Sequence, residues 1–273
     1  MKRHQGVNRY IVPVATTFSV LLVISLSLAG CGSDEPSNGA AAVLTIEQAL
    51  ASEPGETIKV SGAIVATGSG ADREIVLASA LMESYPPQAG GAILPVTGLD
   101  LESLVGLSST EGQPDLAPVT WSDYQVVLGG VMKDGVLEVQ STPQVVEATS
   151  GDAQVRFSPV TEPLTAGTTV WWAFDVQNNG SEPVVLTFSS GQRADIVLSQ
   201  DGEEKYRWSA GKAFTEAIET FTGAPGQIFP IVLNDEFGVA PGDYDLVATV
   251  TATVGPEGTA QPLPELTMTV TVY

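Results

Sequence analysis

Ile58, Val60, Gly62 and Ile64 alternate with Lys59, Ser61 and Ala63, the period of two by which a strand turns one side to a core and the other away. The same period returns at Val170, Trp172, Phe174 and Val176, and at Val184, Leu186 and Phe188. It returns again from Tyr244 through Leu246, Ala248, Val250 and Ala252 to Val254, and at Leu266, Met268, Val270 and Val272. Between such runs stand residue pairs that tolerate the positive dihedrals of tight hairpins. Asp134-Gly135 separates Tyr124–Met132 from Val136–Gln140, Asn179-Gly180 precedes Val184, and Asp201-Gly202 separates Asp195–Ser199 from Glu203–Trp208. Helical patterning is confined to Thr45–Leu50, where Thr45 is placed to cap, and to a short segment near Leu101 to Val105. The pattern predicts an all-β chain. Residues 45–148 are expected to form a small OB-like β-barrel and residues 153–273 an antiparallel β-sandwich, with Thr149-Ser150-Gly151-Asp152 as the linker.

At the N-terminus the pattern changes. Lys2, Arg3 and Arg9 precede an apolar run from Ile11 to Leu28, which ends in Leu28-Ala29-Gly30-Cys31. A basic head, an apolar core and small residues before a cysteine predict a lipoprotein signal peptide over residues 1–30, with Cys31 lipidated as the new N-terminus. A retained membrane anchor is the other reading, since the stretch approaches the ~20 residues that span a bilayer. Either places the globular part on the extracytoplasmic face of the cell membrane. Residues 31–44, small, polar and without apolar periodicity, are expected to act as a flexible tether.

Composition removes whole mechanisms. The only histidine is His4 and the only cysteine is Cys31, so the body holds neither an imidazole nor a thiol. Ser-His-Asp and Cys-His catalysis and His- or Cys-ligated metals are thereby excluded. The chain carries 11 Lys and Arg against 32 Asp and Glu, a net charge of −21, and three of the cations lie in the predicted signal peptide. A body so acidic is not a nucleic-acid binder, which needs a basic face to displace counterions. Asn234-Asp235-Glu236 is the densest oxygen cluster but lacks the spacing of a calcium loop. No metal site and no cofactor are expected. Paired carboxylates could hydrolyse a glycoside, but the sequence marks no such pair. The expectation is a protein that is not an enzyme.

Phe188, Ser190, Gly191, Gln192, Asp195, Gly202, Trp208, Ser209, Phe214, Gly242 and Tyr244, in this order and spacing, resemble the BsuPI family, the intracellular proteinase inhibitors. The resemblance implies an immunoglobulin-like sandwich that binds a protein, a serine protease among the candidates, and inhibits it by steric occlusion. The alternative is a cell-envelope interaction or structural module without inhibition. Packing accounts for Trp208 as a core aromatic and Tyr244 as a residue at the start of its strand. The contact candidates are loop residues: Ser190, Gly191, Gln192 and Arg193 between two strands, and Ser209 and Lys212 after another. The segment from Leu77 to Gly91 resembles a module that precedes such domains in exported proteins, and that likeness implies a disulfide at the positions of Ala78 and Ala89.

Overall fold

The computed structural model describes residues 42–255 and 259–273. The predicted signal peptide, Cys31 and nearly all of the tether lie outside the described residues. The described residues belong to one compact unit, built almost wholly of strands.

Its N-terminal part begins with β1 (Val43–Leu44) and a one-turn helix, α1 (Ile46–Leu50). Thr45 caps the helix as predicted: its Oγ1 accepts the Gln48 N–H at 3.3 Å and its own N–H donates to Gln48 Oε1 at 2.8 Å, the reciprocal pairing that satisfies two otherwise orphaned donors. The strands that follow are β2 (Thr57–Thr67), β3 (Glu74–Leu81), β4 (Ala89–Thr97), β5 (Leu107–Ser109), β6 (Val119–Ser122), β7 (Val126–Lys133) and β8 (Val136–Ser141). Pairing runs β2-β3-β4-β8-β7 and returns to β2, so these strands close a ring. The β4–β8 pair is parallel and the other pairs of the ring are antiparallel. Closure leaves these five strands no free edge. Ile46, Ile58, Val60, Ile64, Leu77, Leu94, Val126, Leu128 and Leu137 fill the interior. Gly62 lets the helix close one end, because a Cβ there would stand 2.9 Å from Ile46 Cδ1. Asp134 (φ 48°) and Gly135 (φ 79°) make the predicted turn from β7 to β8.

The C-terminal part contains β9 (Val146–Ser150), β10 (Ala153–Pro159), β11 (Thr169–Asn178), β12 (Val184–Phe188), β13 (Ala194–Gln200) and β14 (Glu203–Arg207), followed by β15 (Glu219–Gly223), β16 (Ile228–Glu236), β17 (Gly242–Val250), β18 (Thr253–Val254), β19 (Gln261–Pro262) and β20 (Leu266–Val272). They form three antiparallel sheets ordered β16-β11-β10-β9, β15-β12-β18-β19 and β14-β13-β17-β20. All three contribute to one core. Phe157, Trp172 and Phe174 from the first sheet meet Phe188 from the second and Ile196, Leu198, Tyr244, Leu246 and Ala248 from the third. The Asp201-Gly202 turn joins β13 to β14 as predicted, at φ 54° and 77°.

Four expectations change. Asn179-Gly180 does not make a hairpin: β11 pairs with β10 and β16, whereas β12 pairs with β15 and β18, so the chain crosses there from one sheet to another. Likewise the alternation from Tyr244 to Val254 is broken at Thr251, where the chain leaves β17 and continues as β18 in a different sheet. The run from Thr149 to Asp152 is the turn of the β9–β10 hairpin, with Val146 opposite Phe157 and Ser150 opposite Ala153. Finally, Ala78 faces Ile93 and Ala89 faces Leu81. Ala78 and Ala89 are thus offset by three residues along the ladder, about 10 Å at ~3.3 Å per residue, beyond the reach of a disulfide.

β11 joins the two parts. Its even positions Trp172, Phe174 and Val176 face the sandwich core, while Ala173 and Trp171, with Val160 and Val232, pack on the barrel core. The buried Asp175 accepts the Gly106 N–H at 2.9 Å and lies 3.6 Å from Arg156 Nη1. Arg156 Nη2 in turn donates to the Glu102 carbonyl. Gly106 has a positive φ, and a Cβ on it would come within 2.7 Å of Ala173 Cβ, so the close approach at this junction requires glycine. Burial raises the Asp175 carboxyl from 3.8 to about 6, opposed by the Gly106 N–H and Arg156.

Candidate functional site

Of the family-like residues, Asp195, Gly202, Trp208, Ser209 and Phe214 lie on β13, in its turn to β14 and in the loop that follows β14. Asp195, on β13 and 9% exposed, organises the loop's start. Its Oδ1 accepts the N–H groups of Ile196 and Ser209, both at 3.0 Å, and its Oδ2 accepts Ser209 Oγ at 2.8 Å and Arg207 Nη1 at 3.0 Å. Arg207 also grips Glu204 Oε2 at 2.6 Å. A carboxylate so fully satisfied is a structural clasp, for it has little capacity left to bind anything else.

A second cluster surrounds Asp235 on β16. Tyr206 Oη donates to Asp235 Oδ2 at 3.0 Å and Lys212 Nζ sits 3.1 Å from Asp235 Oδ1. Burial first and Asp235 second raise the Tyr206 phenol above its ordinary value. Trp208 donates its indole N–H to the Asn234 carbonyl at 2.9 Å, carries Lys212 Nζ 4.8 Å from its ring centroid and meets the Phe214 ring at 5.9 Å. Trp208 is therefore half-buried at the core's margin. Asp235, read from the sequence as part of an oxygen cluster, spends its oxygens on a phenol, an ammonium and the Glu236 N–H.

The β12–β13 loop is equally occupied. Ser190 Oγ accepts the Gln192 N–H at 3.2 Å, and the Gln192 carbonyl accepts Thr251 Oγ1 at 2.6 Å. Gly191 donates its N–H to the Thr215 carbonyl at 2.8 Å, an approach that a side chain would prevent, since a Cβ there would lie 2.5 Å from Thr215 Oγ1. The Arg193 guanidinium pairs with Glu219 and lies 4.4 Å and 5.1 Å from the ring centroids of Phe188 and Phe221. Each of the six candidates is thus accounted for. Ser190, Gly191, Gln192 and Arg193 hold one another and the 215–219 segment, while Ser209 and Lys212 hold the loop's start.

The residues left facing solvent are others. Glu216, Ala217 and Ile218 are exposed and lie outside any regular element, and Ile218 is 72% accessible. No sequence reading singled them out; the available signal was an isolated apolar residue in a stretch with neither alternation nor turn residues. A separate apolar surface lies on the barrel around Trp121, where Tyr85, Met82 and Ile93 are 68%, 55% and 42% exposed and Tyr85 meets Trp121 edge-on at 6.0 Å. Among the described residues, no group of three or more His, Cys, Asp and Glu could hold a metal ion, and no helix is long and apolar enough to cross a membrane.

Comparison with curated proteins gives no match. Among solved structures, the CARDB domain of a Pyrococcus furiosus protein, in complex with di-metal ions, is 16% identical, with 48% of this chain and 89% of that chain covered at a TM-score of 0.25. A β-glucosidase involved in saponin metabolism from intestinal bacteria is 14% identical, with 51% of this chain and 18% of that chain covered at a TM-score of 0.22. Scores this low bear on neither fold nor function. The model of the BsuPI family, described as intracellular proteinase inhibitor, matches residues 161–254, from just before β11 to the end of β18, and the residues that converge on Asp195 all fall inside that BsuPI match.

Proposed function

We propose that this is a membrane-anchored extracytoplasmic lipoprotein whose BsuPI domain binds another protein and inhibits a serine protease by occluding its cleft. The observation that carries the reading is the family match over residues 161–254. The site agrees with it in kind, because clasped side chains, edge strands and short loops offer a shape, and occlusion needs no catalytic group. The matched region lies in an immunoglobulin-like sandwich on this reading. The hydrogen bond from Tyr244 Oη to the Ala240 carbonyl at 2.8 Å supports that fold, resembling the tyrosine corner of such domains. An OB-like first part is supported by the closed ring β2-β3-β4-β8-β7 with its parallel β4–β8 pair. Lipid on Cys31 rests on the Leu28-Ala29-Gly30-Cys31 sequence.

The test is residual activity of trypsin-, elastase- and subtilisin-like proteases titrated with residues 39–273. Stoichiometric loss of activity of at least one is expected. Full activity of all three beside a folded protein would reject inhibition. The exposed apolar surface around Tyr85 and Trp121 favours a second reading, in which the barrel binds a cell-envelope partner without inhibitory consequence. Capture of envelope material that is lost on Tyr85→Asp would support it.

A further inference from the structure

The chain between Trp208 and β15 is fixed at its shoulders and free at its crest. On the near side, Phe214 packs on Trp208, and the Thr215 carbonyl accepts the Gly191 N–H. On the far side, Glu219 opens β15, pairs with Arg193 and lies opposite Phe188. Glu216, Ala217 and Ile218 span the gap, and among the described residues no backbone hydrogen bond engages them. Beyond them β15 is the outer strand of its sheet, bonded to β12 on one side only.

We propose that Glu216-Ala217-Ile218 is the segment that enters the protease cleft, with the aliphatic side chain of Ile218 in an apolar specificity subsite and Gly191 and Arg193 as the residues that position it. The inference rests on the inhibitor reading above and adds its contact point. Protease clefts take their substrates as extended chains paired through main-chain hydrogen bonds, the same strand-addition chemistry by which an open sheet edge recruits a peptide. A segment with unspent backbone groups that runs into an open edge strand offers this continuously. Pinning both ends removes the ordering cost that a flexible loop would incur on binding. Three residues cannot supply the ~800 Å² per partner of a standard inhibitor interface, so the exposed flanks Ala213 and Thr215 and the free edge of β15 make up the remainder. Ile218 is the most exposed of the large apolar residues in the described structure, at 72%, where solvation alone would favour a polar side chain. Gly191 and Arg193, which the sequence suggested as contacts, act here through the crest.

Inhibition constants of residues 39–273 against an elastase-like, a trypsin-like and a subtilisin-like protease test this, with wild type, Ile218→Asp, Glu219→Gln and, on the exposed surface of α1, Leu50→Asp. Ile218→Asp is expected to weaken inhibition about tenfold or more, as loss of a central contact does. Glu219→Gln, which frees one shoulder, should weaken it less, and Leu50→Asp should leave it unchanged. Ile218 is exposed, so its replacement leaves the circular dichroism spectrum as it was and the readout is of contact alone. Wild-type inhibition by Ile218→Asp would overturn the assignment while leaving the inhibitor reading intact. Absence of inhibition by wild type across the panel would remove that reading and this assignment with it.

Discussion

Asp195 shows how a family signature can be legible and its purpose hidden. The spacing of Asp195, Trp208 and Ser209 is visible in the sequence, but their meeting depends on the β13–β14 hairpin, which brings Ser209 back to its start. Arg193, Ser209 and Lys212 looked free because loop position was all the sequence offered. The structure gives Arg193 to Glu219 and two phenylalanine rings, Lys212 to Asp235 and Trp208, and Ser209 to Asp195. Removing a buried acceptor that leaves several donors unpaired costs much more than removing one hydroxyl. Asp195→Ala should therefore lower stability by about 3 kcal/mol and Ser209→Ala by about 1 kcal/mol, read from urea midpoints; equal effects would deny that Asp195 is the hub. Asp175 makes a prediction in pH. Its carboxyl holds its proton to about 6 when folded, against 3.8 in the ordinary state, so between these values the folded chain binds more protons than the unfolded one. Its contribution to stability falls as pH rises through that window and is constant above it, on the order of 3 kcal/mol in all at ~1.36 kcal/mol per pH unit. The stability difference between wild type and Asp175→Asn should slope from pH 4 to 6; a flat difference would place Asp175 in contact with water.

Individual elements were the most legible level. The Thr45 cap and both Asp-Gly turns depend on residues within a few positions of one another, so local chemistry decided them. Pairing between distant strands did not follow, because alternation says that a strand has a core side and nothing of which strand lies next to it. That is why Asn179-Gly180, so like a hairpin turn, crosses between sheets, and why the polar run at Thr149 turned out to be a hairpin inside the sandwich. In β11 the reading Val170, Trp172, Phe174 and Val176 found the core side, while Trp171 and Ala173 on the other side are also covered, by the barrel; consecutive bulky residues mark a strand buried on both faces. The β3–β4 register makes its own prediction. Cysteines at Ala78 and Ala89 should stay reduced in air, whereas cysteines at the directly opposed Leu81 and Ala89 should join. Thiol titration after oxidation reads both, and a bridge between 78 and 89 would refute the register.

At the scale of the molecule, two cores share one strand. Ala173 and Val232, in the C-terminal sheets, and Val160, just after β10, pack on the barrel's core, and Asp175 with Arg156 and Gly106 ties the same junction by hydrogen bonds and charge. Residues 39–273 should accordingly melt in one transition with coincident near- and far-ultraviolet dichroism, and dilute protease should spare Thr149–Asp152, a tight turn closed by the Ser150–Ala153 pair of the β9–β10 ladder. Two separated transitions, or a first cut at that turn, would show independent parts. On the function proposed above, the region that matches the BsuPI model, residues 161–254, closes the active site of a protease. The most direct measurement is binding of residues 39–273 to a free serine protease that they inhibit, and to the same protease after its active site is blocked by a covalent active-site reagent. Occlusion predicts that blocking abolishes binding, and equal affinity for the free and the blocked protease would contradict it.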